Sequence, residues 1–320
     1  MYGSKARIVI LILLAAGVTC GQKKVVQVDP NKYAVIINGP GGEAAYTKQF
    51  EEWTGQLSSV LSDRYGFDAK HITVPQATAE EVKRTFATLK TQLDADNVLF
   101  LFFIGHGSFD GKESKFNLTG PDLSATEYNA LLSALPTRRV VVFNMSSASG
   151  EFIKSLAAKG RIVVTATRNG QETNATRFTG FFISALQATD ADTDQDGHTS
   201  VLEAFVYANR LTAEFYKRAG RLATEHALFD DNGDGIGHEK IEAGEGLLAR
   251  ATYLDSLSVD EAAATAATGR LLKERTRLEG EIEQLIARKS NMKEAEYEAS
   301  LERLFIELAK VNRSIRQAGS

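Results

Sequence analysis

Between residues 33 and 188, short apolar runs alternate with amphipathic stretches. Tyr33 to Asn38 is apolar and closed by Gly39-Pro40-Gly41-Gly42, which predicts a buried strand. Residues 43–64 then carry Phe50, Trp53, Leu57, Val60 and Leu61 at helical spacing. Lys70 to Val74 reads as a second strand, stopped by Pro75. Thr78 with Glu81 forms a capping-box pattern for a helix to Leu93, with Val82, Phe86 and Leu89 on one face. Asn97 to Ile104 is apolar on both faces, as central parallel strands are. A polar excursion over 108–123 leads to a second capping-box pattern, Ser124 with Glu127, and a helix to Leu135. Arg139 to Asn144, a helix over 150–159, Arg161 to Ala166 and a helix over 176–188 complete the series. Such alternation predicts an α/β sandwich of three layers, with a mostly parallel sheet between helices and right-handed crossovers. Ligands of such sheets bind beyond the carboxyl ends of the strands, where His106, Ser146 and Arg168 fall.

Two of these strand ends carry chemistry-bearing turns. The third strand runs into Gly105-His106-Gly107, and the fourth into Asn144-Met145-Ser146-Ser147-Ala148-Ser149-Gly150. Leu118-Thr119-Gly120-Pro121-Asp122 and Arg138-Arg139 lie between them. In order and spacing, residues 33–240 resemble the caspase-like and legumain-like cysteine peptidases. In those families a His-Gly follows one parallel strand and an acidic-x-Cys-x-Ser-Gly turn follows the next. The resemblance implies a caspase-like fold, with His106 as general acid/base, Gly107 as an oxyanion donor and Ser146 at the nucleophile position. This chain departs from the pattern at two points, Ser146 for cysteine and Asn144 for the acidic residue. A serine hydroxyl is a far weaker acid than a thiol and needs a base in direct hydrogen-bond contact. No Asp or Glu stands in a recognisable position to orient His106; Asp110 is near only in sequence. Two readings follow: a catalytically inactive homologue that binds a peptide or protein ligand, and an active serine hydrolase using Ser146 and His106. Arg168 suits either a ligand contact or a surface ion pair.

The only cysteine of the 320 residues is Cys20, which excludes an internal disulfide. Cys20 follows Lys5, Arg7 and an apolar run, Ile8 to Val18, too short for a comfortable membrane span. Residues 1–20 therefore read as an export signal, cleaved near Ala15-Ala16-Gly17 or ending in a lipidated Cys20 that anchors the chain to the membrane of a bacterial envelope. An uncleaved anchor is the remaining alternative. A net charge of −4 gives no bulk attraction to nucleic acid.

Asp192-Thr193-Asp194-Gln195-Asp196-Gly197-His198-Thr199-Ser200-Val201-Leu202-Glu203 satisfies the EF-hand calcium loop at each key position. Asp192, Asp194 and Asp196 supply positions 1, 3 and 5, with Gly197 at 6. The His198 carbonyl, Ser200 and Glu203 supply 7, 9 and 12, and helices over 176–188 and 201–218 flank the loop. Ca²⁺ is the cofactor this spacing implies. Thr199 replaces the usual aliphatic residue at position 8, so the loop is expected to be unpaired or dockerin-like. A second loop offers Asp230, Asn232 and Asp234, then Gly235, but Ile241 stands at its position 12. Glu239 or Glu242 would have to substitute. An Asp/Asn/Gly turn without metal is the alternative.

Beyond Leu254 the composition shifts to Ala, Glu, Lys, Arg and Leu. Leu301, Leu304, Leu308, Val311 and Ile315 follow a heptad seam, and Leu271, Leu278, Ile282 and Leu285 form a second stripe. A break at Ser290-Asn291 predicts a coiled-coil-like helical hairpin over 255–318, appended to a domain over 31–250. That hairpin would either pack within the chain or mediate oligomer or partner contacts.

Overall fold

The computed structural model describes residues 26, 28–195, 197–241, 245–255, scattered positions from 271 to 289, and 292–318. The proposed export signal with Cys20, together with Asp196, Glu242, Ser290 and Asn291, lies outside the described residues.

The first half runs β1 (Lys32–Asn38), α1 (Ala44–Asp63), β2 (Ile72–Thr73), α2 (Ala79–Gln92) and β3 (Val98–Ile104). It continues with β4 (Gly107–Phe109), β5 (Ser114–Phe116), β6 (Leu123–Ser124), α3 (Ala125–Ser133) and β7 (Arg139–Asn144). Then come α4 (Phe152–Leu156), β8 (Arg161–Thr165), α5 (Phe178–Gln187), α6 (Val201–Arg218), β9 (Leu228–Asp230), α7 (Leu247–Ala251) and α8 (Glu294–Ala318). The main sheet is six-stranded in the order β2-β1-β3-β7-β8-β9. All its pairings are parallel except that of β9 with β8.

Every residue of β3 is buried, because helices cover both faces of the sheet. Side chains alternate between the faces. Ala34, Ile36, Phe100, Phe102, Val141 and Phe143 pack with α1, α5 and α6. Val35, Ile37, Leu99, Leu101, Phe103, Val140 and Val142 pack with α2, α3 and α4. The three-layer α/β architecture expected from the alternating pattern is thus the one observed. Aromatic stacking knits the first face: the Phe143 ring centroid lies 5.2 Å from that of Phe102, with the two ring planes nearly parallel, and 4.5 Å from that of Phe182.

Local signals differ in their outcome. Ser124 and Ser200 both complete reciprocal capping boxes with Glu127 and Glu203. At Thr78 only half of the box forms, since Glu81 turns forward to Arg84 at 2.8 Å. The second strand is shorter than expected, two residues after a 3₁₀ turn at Ala69–His71. The 108–123 excursion contains a small antiparallel sheet, β4-β5-β6, where no strand was expected. At the far end, Leu278, Ile282 and Leu304 are buried together, with Leu285, Leu301, Leu308 and Val311 packed around them. The two C-terminal stripes therefore meet each other. Phe305 and Ile306 of α8 stay outside this contact, about half exposed. Among the described residues no helix is long and apolar enough to cross a membrane.

Phe143→Ala is expected to cost about 3–5 kcal/mol in urea unfolding, because the rings around it cannot close the cavity. Phe305→Ala is expected to stay within about 0.5 kcal/mol.

Candidate functional site

Parallel pairing of β3 with β7 ends both strands at one level, with Phe103 opposite Asn144. The His106-Gly107 turn and the Ser146-Ser147 turn are thereby pressed together. A Cβ on Gly107 would lie 2.3 Å from the Ser147 carbonyl oxygen and 2.9 Å from Ser146 Oγ, so only glycine fits. Ala148 adopts a left-handed conformation, with φ of 51°. It is fixed there by its N–H on the Glu172 carbonyl (2.8 Å) and by Ser114 Oγ donating to its own carbonyl (2.6 Å).

Within this junction the hydroxyls are already committed. Ser146 is 0% exposed, and its Oγ donates to Asn144 Oδ1 at 2.7 Å. The Ser146 N–H reaches the same oxygen at 3.2 Å. Gly107 N–H, the would-be oxyanion donor, is given to Ser147 Oγ at 3.1 Å, and that hydroxyl donates back to the Gly107 carbonyl at 3.2 Å. His106 faces the other way. Its ring is edge-on to Tyr46 and Phe50, each at 5.1 Å. Among the described residues no carboxylate hydrogen-bonds to it. Asp110 does not: it accepts the N–H groups of Glu113 (2.9 Å) and Lys112 (3.0 Å) and pairs with Lys115. The Glu113 amide first, then that of Lys112, holds its carboxyl down to about 2.

The strand ends thus bring His106, Gly107 and Ser146 to one corner, as their spacing predicts. They do not form a Ser–His hydrogen bond or a free oxyanion donor. Arg168 resolves as an ion pair: it lies 3.6 Å from Glu172, 3.6 Å from Glu239 and 2.9 Å from His226 Nδ1. Beside the His106 ring, Tyr46 and Gln49 line a cleft of about 320 Å³ together with Asn174, Arg177 and Arg221.

The loop over 192–203 brings Asp192, Asp194 and Glu203 together, with one oxygen of each within 4.8 Å of the others. That is the greatest separation of two oxygens bound at about 2.4 Å to one ion, so the donor set fits a hard cation. Gly197 (φ 88°) sends its N–H to Asp192 Oδ2 at 2.9 Å. Glu203 Oε1 accepts from Thr193 N–H at 2.9 Å, and Oε2 from Ser200 Oγ at 2.8 Å. The His198 side chain turns to Asp255 at 2.7 Å. The backbone beside position 8 is bridged by a short return segment of the chain, not by a second acidic loop. Leu254 N–H reaches the Thr199 carbonyl (3.0 Å) and Val201 N–H the Thr252 carbonyl (2.9 Å), so residues 252–254 supply the pairing segment.

In the second loop, Asp230 Oδ1 and Oδ2 accept from Gly233 and Gly235 N–H at 2.8 and 2.9 Å. Of the two residues expected to stand in for position 12, Glu239 is turned to Arg168, and Glu242 lies outside the described residues. Instead Glu245, unmarked by any motif spacing, reaches Asn232 Nδ2. Glu245 is 2% exposed. Burial, then Asp231, Asp230 and Asp234, push its carboxyl up to about 8. Burial likewise raises Asp230.

No protein-family model matches the chain, and no curated protein matches it in sequence. Among solved structures it is similar to a protein of Geobacter sulfurreducens, at 15% identity over 63% of this chain and 93% of that one, TM-score 0.41. It is also similar to caspase-1 of Spodoptera frugiperda, at 12% identity over 65% and 88% of the two chains, TM-score 0.42. Both likenesses are distant, and the roles of individual side chains rest on their own contacts.

Glu245 makes metal-free stability depend on pH. The folded state keeps a proton that the unfolded chain releases above its ordinary value of 4.5, so stability is fullest below that pH and is lost as pH rises towards about 8. Thermal melting in chelator is expected to fall across this window, and Glu245→Gln to flatten the slope.

Proposed function

We propose that this chain is a non-catalytic relative of the caspase-like and legumain-like peptidases, an exported binding or scaffold module stapled by calcium. The observation that carries the reading is Ser146 Oγ, fully buried and donating to Asn144 Oδ1 at 2.7 Å instead of to a base. A serine nucleophile needs its proton taken by a group within about 2.6–3.2 Å. The Gly107 amide engaged by Ser147 Oγ supports the same reading, since an oxyanion donor must be open to the substrate. The order of the His-Gly and serine turns on adjacent parallel strands supports the ancestry.

Binding is the activity left to such a corner. The cleft beside His106, with Tyr46, Arg177 and Arg221 on its walls, suits a peptide or protein segment bearing carboxylates or carbonyls. In the calcium loop, Asp192, Asp194 and Glu203 would hold the ion, with Asp196 from the sequence as a further oxygen donor. The bound ion supplies charge neutralisation at the start of α6. For a chain without a disulfide, such a loop is a structural staple, as it often is in extracellular modules. The apolar run before Cys20 supports export.

The test is labelling with a serine-reactive fluorophosphonate, in calcium and in chelator, on the wild type, Ser146→Ala and His106→Ala. No labelling of folded, calcium-loaded protein is expected. Labelling that disappears in both variants would overturn the reading and establish a serine hydrolase. Calcium at a hundred times its Kd is expected to stabilise the wild type by about 2.7 kcal/mol. Glu203→Gln is expected to lose the 192–203 loop's share of this shift.

A further inference from the structure

We propose that the amino ends of β7 and β8 carry a binding site for a small oxyanion borne on an apolar chain, built by Arg138, Lys159 and Arg161. The site lies at the end of the sheet opposite to His106 and does not depend on the reading above.

The fold gathers the three cations from two strand entries. β7 and β8 are parallel, with Val140 opposite Arg161, so both strands start at one level. The turn before β8 is folded hard onto the residue before β7. Gly160 is left-handed, with φ of 79°, and a Cβ there would lie 2.4 Å from the Arg138 carbonyl oxygen, so only glycine fits. Arg138, Lys159 and Arg161 thereby line one cleft of about 480 Å³, whose walls include Leu132, Leu135 and Val140. No Asp or Glu is among the lining residues.

Arg161 is the member that points to a ligand. It is 6% exposed, and among the described residues it has no carboxylate partner. Nη1 donates to Asn129 Oδ1 at 2.8 Å and to the Leu156 carbonyl at 2.6 Å, both neutral acceptors. Nε and Nη2 take no acceptor among the described residues. Those two atoms form the edge of a guanidinium that grips two oxygens of a carboxylate or phosphate side by side. Burial pulls the group below the usual arginine range, with no acidic neighbour to raise it, yet arginine stays charged at ordinary pH. A buried cation without a counter-charge is costly, and an anion in the cleft removes that cost. Arg138 and Lys159 are exposed and likewise make no ion pair among the described residues. The chain has 41 acidic residues against 37 Lys and Arg, so three cations left together without one of those acids are not a consequence of composition. The fork of Arg161 is pinned through Nη1 and takes the oxyanion, Arg138 and Lys159 add charge, and the leucine and valine walls take the apolar chain.

The test is isothermal titration calorimetry of the full-length protein with octanoate, octyl phosphate and inorganic phosphate, each below micellar concentration. One octyl anion per chain is expected to bind, and the preferred head group says whether the source is a carboxylate or a phosphate. Inorganic phosphate is expected to bind at least about tenfold more weakly, since it lacks the apolar chain. Arg138→Gln combined with Lys159→Gln changes two exposed, unpaired side chains and is expected to weaken the octyl anion at least about tenfold. Arg161→Gln is expected to abolish binding, with its melting curve as the check on folding; should it not fold, the exposed double variant carries the test alone. The proposal is overturned if neither octyl anion binds, if inorganic phosphate binds as tightly, or if the double variant keeps the wild-type affinity. Binding lost in Arg221→Gln but kept in the double variant would put the anion in the cleft beside His106 and overturn it as well.

Discussion

The in-register pairing of β3 with β7 constrains everything at the carboxyl end of the sheet. Met145 N–H reaches the Phe103 carbonyl at 3.1 Å, which extends the ladder one residue past Asn144. The two chains then leave the sheet side by side, and Gly107 must pass within contact of the Ser147 carbonyl. Here the same proximity lets Ser147 close on the Gly107 backbone and lets Asn144 take both groups of Ser146. The Gly107 N–H and the Ser146 hydroxyl have each found an internal partner, and the serine turn is part of the core. Asn144 and Ser146 thus act as one unit at this turn. A neutral carboxamide oxygen accepts the hydroxyl and keeps the turn free of an unpaired buried charge.

A second constraint sits at the opposite side of the sheet. β9 closes the β8 edge and runs directly into the second acidic loop, while α6 starts from the first. Residues 245–255 join the two. Glu245 faces the second loop, Asp231 caps α7, and Thr252 and Leu254 pair with the backbone beside the first. Neither loop can relax without moving this short return segment. In a protein with no disulfide, that linkage makes the charge state of two carboxylate clusters a property of the fold as a whole.

Much of this was legible in the sequence because it is periodic or local. The apolar runs gave the parallel strands, since a doubly covered strand must be apolar throughout. Ser124 and Ser200 announced their helices through reciprocal caps. The twelve-residue spacing brought Asp192, Asp194 and Glu203 to one point because a loop of that length closes on itself. What escaped was set by distant contacts or by very short elements. The strands β4, β5 and β6 hold two or three residues each, too few for alternation to register. The edge strand β9 is equally short. Glu81 satisfies the spacing of a cap, yet the Arg84 guanidinium outcompetes the backbone for it. Glu245 enters its loop from outside any ligand spacing, and the direction of the Ser146 hydroxyl depends on Asn144, where sequence shows only a departure from a family pattern.

The C-terminal helices attach to this system through polar contacts. Among the described residues their apolar stripes face each other, and Arg275 links them to the domain by donating to Asp194 Oδ2 at 2.8 Å and to the Tyr253 hydroxyl. Asp194 also belongs to the acidic cluster proposed to hold calcium, so the guanidinium and that ion would call on the same carboxylate. Charge balance decides whether they oppose or support each other. Asp192, Asp194 and Glu203 carry three negative charges, and Asp196 adds a fourth from the sequence. A divalent ion leaves two of these uncompensated, and the Arg275 guanidinium reduces the excess to one. Because a carboxylate has a second oxygen for the metal, Arg275 on Oδ2 can remain while Oδ1 ligates. Docking of the C-terminal segment through Arg275 thus adds positive charge where the bare loop has an excess of negative charge, and an ion bound there would act on the same loop from the other side.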